Sequence, residues 1–153
     1  MAVNGNTIFC DDIRQEVAGK ISVMGIYGAE LNVFSSFPTV LPKLCLVVMA
    51  RFPLEQTITN PKLQIYLPED DETPSILLEL PDWPVTKEQT EQKSELPFPD
   101  ALQLNSRFSF HTLSPFFIRQ EGWLRVRVLT DEGRLKVGAL KIKSTPNPES
   151  GKT

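Results

Sequence analysis

Short runs of alternating apolar and polar residues, separated by proline and glycine, make up most of the chain. An alternation with a period of two is typical of strands that bury one face. Most of the 13 prolines fall between these runs, where they end strands and interrupt any long helix. The pattern predicts strands at Thr7–Gln15, Lys20–Tyr27, Ala29–Val33, Lys43–Phe52, Lys62–Leu67, Ser75–Leu80, Arg107–Leu113, Trp123–Thr130 and Arg134–Lys143.

This number of short strands predicts an all-β fold, a two-layer antiparallel β-sandwich of the immunoglobulin-like or a similar Greek-key type. A chain of 153 residues with 41% hydrophobic content can bury one core, so residues 1–145 are expected to form a single domain. The run from Leu44 to Ala50 does not alternate, which predicts burial on both faces. A polar loop is expected near residues 84–100, and residues 146–153 are expected to form a flexible tail.

The last two strands form the clearest predicted hairpin, because Asp131, Glu132 and Gly133 supply a short turn between them. On the first strand, Leu124, Val126 and Val128 share the face that should point inward. On the second strand, the apolar positions change parity, from Leu135 and Val137 to Leu140 and Ile142. This change predicts a β-bulge near Gly138 that keeps both apolar pairs inward.

The opposite face of this hairpin should collect positive charge. Residues 1–106 carry 7 Lys and Arg against 15 Asp and Glu, whereas residues 107–153 carry 9 against 4. Exposed Trp and Arg are enriched at binding hot spots, although a solvated outer sheet face explains the pattern equally well. The predicted partner-binding residues are Trp123, Arg125, Arg127, Arg134, Lys136, Lys141 and Lys143.

A cationic face suggests two kinds of partner. The first is a protein partner or a second copy of the chain, which predicts a non-catalytic protein-binding or assembly module. The second is nucleic acid, held by phosphate contacts and stacking on Trp123. The net charge of −3 disfavours a polyanion, so the nucleic acid is the alternative.

No catalytic or cofactor site is predicted. His111 is the single histidine, and it is expected on the exposed or half-buried face of its strand. The ending Ser150-Gly151-Lys152-Thr153 imitates a phosphate-binding loop but lacks the first glycine, whose position Pro146 occupies. The acidic clusters Asp11-Asp12 and 69–72 lack the spacing of a calcium loop; whether they bind calcium is left open.

A cytoplasmic location is expected, because the first residues lack the basic and apolar segments of a secretory signal. The longest apolar run, Leu44 to Ala50, is too short to span a membrane. Cys10 and Cys45 are expected to behave as small buried hydrophobes, although strand pairing could bring them within disulfide distance.

The chain also resembles a family of uncharacterised small proteins from bacteria and their phages. The resemblance is carried by Phe9-Cys10-Asp11-Asp12, by the segment from Gly19 to Tyr27, by Glu121-Gly122-Trp123 and by the turn from Asp131 to Gly133. It implies a β-sandwich of unknown function and carries over no catalytic residue. Asp12 and the acidic loop 69–72 depart from the family's pattern.

Overall fold

The computed structural model describes residues 4–84 and 104–145. In this part of the chain the regular structure is β-strand except for one 3-10 turn, Val17–Gly19. The strands are β1 (Asn4–Gln15), β2 (Ile21–Tyr27), β3 (Glu30–Val33), β4 (Thr39–Leu41), β5 (Leu44–Pro53), β6 (Lys62–Tyr66), β7 (Ile76–Glu79), β8 (Leu104–Leu113), β9 (Phe116–Ile118), β10 (Gly122–Thr130) and β11 (Gly133–Ser144).

The strands form two sheets that pack face to face and one small ribbon. The first sheet has the order β2-β1-β5-β8, the second sheet has the order β3-β11-β10-β6-β7, and β4 pairs with β9. The predicted all-β fold is confirmed. One pairing departs from the expected antiparallel arrangement, because β3 runs parallel to β11.

The core lies between the two sheets. From the second sheet, Leu124, Val126 and Val128 are completely buried, as their shared parity predicted. They meet Leu46 and Val48 of β5, whose predicted run is buried throughout except for the half-buried Met49. Each such aliphatic side chain contributes about 1.5–3 kcal/mol when fully buried, so this cluster stabilises the sandwich.

The sheets approach most closely where β1 crosses β11. A Cβ atom on Gly5 would lie 2.6 Å from the Met49 backbone oxygen and 2.6 Å from Val137 Cγ1. A Cβ atom on Gly138 would lie 2.8 Å from the Cβ atom of Thr7. Both positions therefore need glycine to let the two backbones meet.

The bulge predicted near Gly138 is present. Val126 pairs with Gly138 and Arg127 pairs with Lys136, so Val137 is the extra residue on β11. Val137, Leu140 and Ile142 are 2%, 0% and 0% exposed, and the half-buried Leu135 packs against the core, so the bulge keeps both apolar pairs on the core side.

The observed strands differ from the predicted ones in number and in their first residues. The short strands β4 and β9 were not predicted, since three residues carry too little alternation to identify a strand. Strand β1 begins at Asn4 and β8 at Leu104, each three residues before its predicted start. Apart from Pro84, the predicted loop near 84–100 lies outside the described residues, as does the predicted tail 146–153.

Candidate protein-binding surfaces

The seven predicted partner-binding residues lie together on the outer face of the second sheet. Directly opposite residues of an antiparallel pair share a face, and Trp123 pairs with Lys141 while Arg127 pairs with Lys136. We call this surface the basic face, and it consists of Trp123, Arg125, Arg127, Arg134, Lys136, Lys141 and Lys143.

Two of these cations are held by the fold itself. The Arg125 guanidinium donates hydrogen bonds to the backbone oxygens of Leu67 and Asp70 and lies 5.1 Å from the centre of the Tyr66 ring. The Arg127 guanidinium donates to the Val126 oxygen at 2.9 Å. Arg125 and Arg127 therefore have structural roles that their alternation with apolar residues did not reveal.

The remaining basic side chains are more open. Lys143 forms an ion pair with Glu30 at 2.9 Å, and Lys141 Nζ lies 5.8 Å from the centre of the Trp123 ring. Arg134 and Lys136 are exposed. Among the residues that the structure describes, no carboxylate forms an ion pair with Arg134, Lys136 or Lys141.

The crowding of like charges has an electrostatic cost. Burial, together with the neighbouring Arg125 and Arg134 charges, lowers the pKa of Arg127 below its ordinary value. An anionic group placed on the basic face would reduce this repulsion.

A shallow cleft of about 620 Å³ opens beside Trp123. Its wall contains Trp123, Arg125, and Asp70 and Asp71 of the turn after β6. The cleft therefore brings together one aromatic, one basic and two acidic residues.

Two residues of this surface were missed by the sequence argument. Lys62 pairs with Leu129 and thus adds a cation to the same outer face. Tyr66 pairs with Arg125, and its ring also lies 5.9 Å from the Arg134 guanidinium. Both belong to β6, and no local signal shows that β6 lies beside β10.

The outer face of the first sheet is apolar. Phe108 and Phe110 of β8 are 57% and 45% exposed, and Met24 and Ile26 of β2 are 41% and 61% exposed. We call the surface carried by these four residues the apolar face. His111 is half-buried, as predicted, but it pairs with Leu46 and so lies on the side of the sheet that faces the core.

The acidic loop after β6 is organised by one carboxylate. Asp70 Oδ2 accepts hydrogen bonds from the backbone nitrogens of Leu67 and Ser75, both at 2.8 Å, and Oδ1 accepts one from the Ser75 hydroxyl at 2.7 Å. Burial alone would raise the pKa of Asp70, but these hydrogen bonds lower it below its usual value. Within residues 4–84 and 104–145, no group of three or more His, Cys, Asp or Glu side chains could hold a metal ion.

The two cysteines are direct partners across β1 and β5. Cys10 and Cys45 are free and are 0% and 1% exposed, on the side of the first sheet opposite the core. Burial raises the pKa of the Cys10 thiol to about 11. They are therefore buried hydrophobes, as predicted.

No helix in the described ranges has both the length and the apolar character needed to cross a bilayer. Comparison with curated proteins gives no match, and neither does comparison with solved structures. A family model, that of a family of unknown function (DUF6941), matches residues 6–143. The match runs from within β1 to within β11 and so covers most of the chain, which therefore belongs to this family of unknown function.

Proposed function

We propose that the protein is a non-catalytic protein-binding or assembly module that uses the basic face to bind an acidic surface. The observation that carries the proposal is the half-exposed Trp123 ring, 50% accessible, with Lys141 Nζ 5.8 Å from its centre. Arg134 and Lys136 lie further along the same face, and no described carboxylate forms an ion pair with any of these three cations. A large aromatic surface next to forked or flexible cations is typical of protein-binding hot spots.

The cleft beside Trp123 favours a protein over a nucleic acid. Asp70 and Asp71 lie in its wall, where they would repel the phosphates of a polyanion. A protein surface can instead place a basic group against these carboxylates and acidic groups against Arg134 and Lys136. Nucleic-acid binding through the same face is the second candidate, supported by the exposed Trp123 ring as a stacking surface.

The biological setting is part of the same proposal. Buried, unpaired Cys10 and Cys45 suit a reducing compartment, which supports a cytoplasmic location. The resemblance noted in the sequence supports an origin in a bacterium or phage.

The test is a pull-down with the native chain and with Arg134→Glu/Lys136→Glu, followed by a binding titration with the purified captured protein. The control is Arg14→Glu/Lys20→Glu, which changes the net charge equally at two exposed positions, one in β1 and one in the connection to β2. The proposal expects the first variant to lose the partner and the control to keep it. Equal binding by all three proteins would exclude the basic face as the binding site.

The same proteins distinguish the second candidate. Single-stranded DNA and RNA are added at increasing salt concentration, since phosphate contacts weaken steeply with salt. Salt-sensitive binding that is lost in Arg134→Glu/Lys136→Glu, without any captured protein, would favour nucleic acid.

A further inference from the structure

Strand β8 is an unusually long and regular sheet edge. All ten of its residues pair with β5 without a register shift, and no described strand pairs with its other side. The other edge strands are shorter: β3 and β7 have four residues each, and β2 has seven and contains Gly25 at φ 65°. A long edge without a bulge presents a row of backbone donors and acceptors that can pair with another strand.

We propose that β8 pairs antiparallel with β8 of a second copy, across a twofold axis that passes through Ser109. The pairing joins two four-stranded first sheets into one continuous sheet. The twofold axis is perpendicular to the sheet. Because the two copies are related by this axis, both contribute the same residues to the interface, as in other isologous dimers. The basic faces remain free on the two second sheets, so this dimer is independent of the proposed partner binding.

The alternation of β8 limits the possible registers, and the positions of its two phenylalanines favour one of them. Directly opposite residues must lie on the same sheet face, so the axis must pass through a residue and not between two residues. With the axis at Ser109, Phe108 of each copy lies opposite Phe110 of the other. Two cross-strand aromatic pairs then cover rings that are 57% and 45% exposed in the single chain.

The polar side chains of β8 support the same register. Arg107 is the single charged residue of β8, and its Nε is buried without a hydrogen-bond partner. The axis at Ser109 places Arg107 opposite His111 of the second copy, on the core side of the sheet. Burial lowers the pKa of His111, so its ring is neutral near pH 7. Its Nε2 is hydrogen-bonded to Ser109 Oγ at 2.9 Å, which leaves the other ring nitrogen for a hydrogen bond from Arg107. An axis at Arg107 would instead place two guanidinium groups together.

The first test compares association states by sedimentation equilibrium at about 0.1 mM, where a dimer with a micromolar dissociation constant is almost fully formed. The native chain is expected to be a dimer. Phe108→Lys/Phe110→Lys places like charges opposite each other and is expected to weaken dimerisation roughly 100-fold or more. Phe108→Lys/Phe110→Glu places Lys opposite Glu and is expected to remain a dimer. Phe117→Lys, at another exposed ring, is the control and should also remain a dimer.

The second test reads the register directly and does not depend on the lysine variants folding. Three single variants, Phe108→Cys, Ser109→Cys and Phe110→Cys, are oxidised under mild conditions. Only the residue on the axis lies opposite its own copy, and antiparallel partners are close enough for a disulfide. Ser109→Cys is therefore expected to form a covalent dimer, and the other two are not.

Several results would overturn the proposal. A monomeric native chain at the stated concentration excludes the dimer. Dissociation of Phe117→Lys to the same extent as Phe108→Lys/Phe110→Lys shows that β8 is not the interface. Dissociation of Phe108→Lys/Phe110→Glu, or covalent dimers of Phe108→Cys or Phe110→Cys in place of Ser109→Cys, excludes the Ser109 axis.

Discussion

Replacing Arg125 by Met is expected to destabilise the fold, although Arg125 lies on an outer sheet face. Its guanidinium donates to the backbone oxygens of Leu67 and Asp70 and lies against the Tyr66 ring. Methionine keeps the apolar stem over the sheet but cannot donate a hydrogen bond. It therefore releases the turn after β6 from β10.

The magnitude follows from these contacts. A hydrogen bond from a charged group contributes about 1.5–3 kcal/mol, and the second bond is long at 3.4 Å. The cation–π contact adds about 0.5–1 kcal/mol at a partly exposed site. Arg125 Nε is buried without a partner in the native chain, and its removal offsets part of the loss. We expect a net decrease of about 2 kcal/mol in the free energy of unfolding.

Urea denaturation followed by circular dichroism measures this decrease, and thermal unfolding should show a Tm lower by roughly 4–8 °C. The matched control is Arg134→Met on the neighbouring strand. Arg134 is exposed and only approaches the Tyr66 ring at 5.9 Å, so its loss should stay within about 0.5 kcal/mol. Equal stability of Arg125→Met and Arg134→Met would refute the structural role of Arg125.

Three further predictions concern packing, pH and thiol chemistry. Gly5→Ala forces a methyl group against a backbone oxygen at 2.6 Å and should cost about 1–3 kcal/mol in urea unfolding, whereas Gly28→Ala meets nothing within 4 Å and should be near neutral. Because its hydrogen bonds lower the pKa of Asp70, this carboxylate contributes stability that is present above the unfolded pKa of about 4 and is lost as the pH falls through the lowered value. Asp70→Asn should therefore reduce the loss of unfolding free energy as the pH falls below about 4, measured by urea unfolding at a series of pH values. An unchanged pH dependence would contradict this role of Asp70. The thiols of Cys10 and Cys45 should react with a thiol reagent only after unfolding, so rapid labelling of the native chain would contradict their burial.

The closing hairpin was predictable because its contacts are local. Gly133 sets the turn between β10 and β11, so the parity of Leu124 and Trp123 follows directly from the sequence. The bulge at Val137 could be located for the same reason, since only a change of parity keeps Leu140 inward. The sequence therefore predicts that all seven residues of the basic face share one surface.

The apolar face was not predictable in this way. The alternation of Phe108, Ser109, Phe110 and His111 defines two faces of β8 but does not say which one meets the core. The pairing of Phe110 with Val47 and of His111 with Leu46 decides it, and these partners are more than sixty residues away in the chain. The phenylalanines consequently point outward, against the usual preference for burying aromatic rings.

The sequence by itself determined the all-β fold, the closing hairpin and the common face of its cations, because period-two alternation and turn chemistry act between near neighbours. Only the tertiary structure decided which cations remain open to a partner. Arg125 is held by a turn that β6 brings alongside β10, whereas no described residue accepts a hydrogen bond from the side chain of Arg134 or Lys136. Tertiary packing likewise left β8 at a sheet edge with exposed aromatic rings, since strand order depends on long-range pairing that no local pattern encodes.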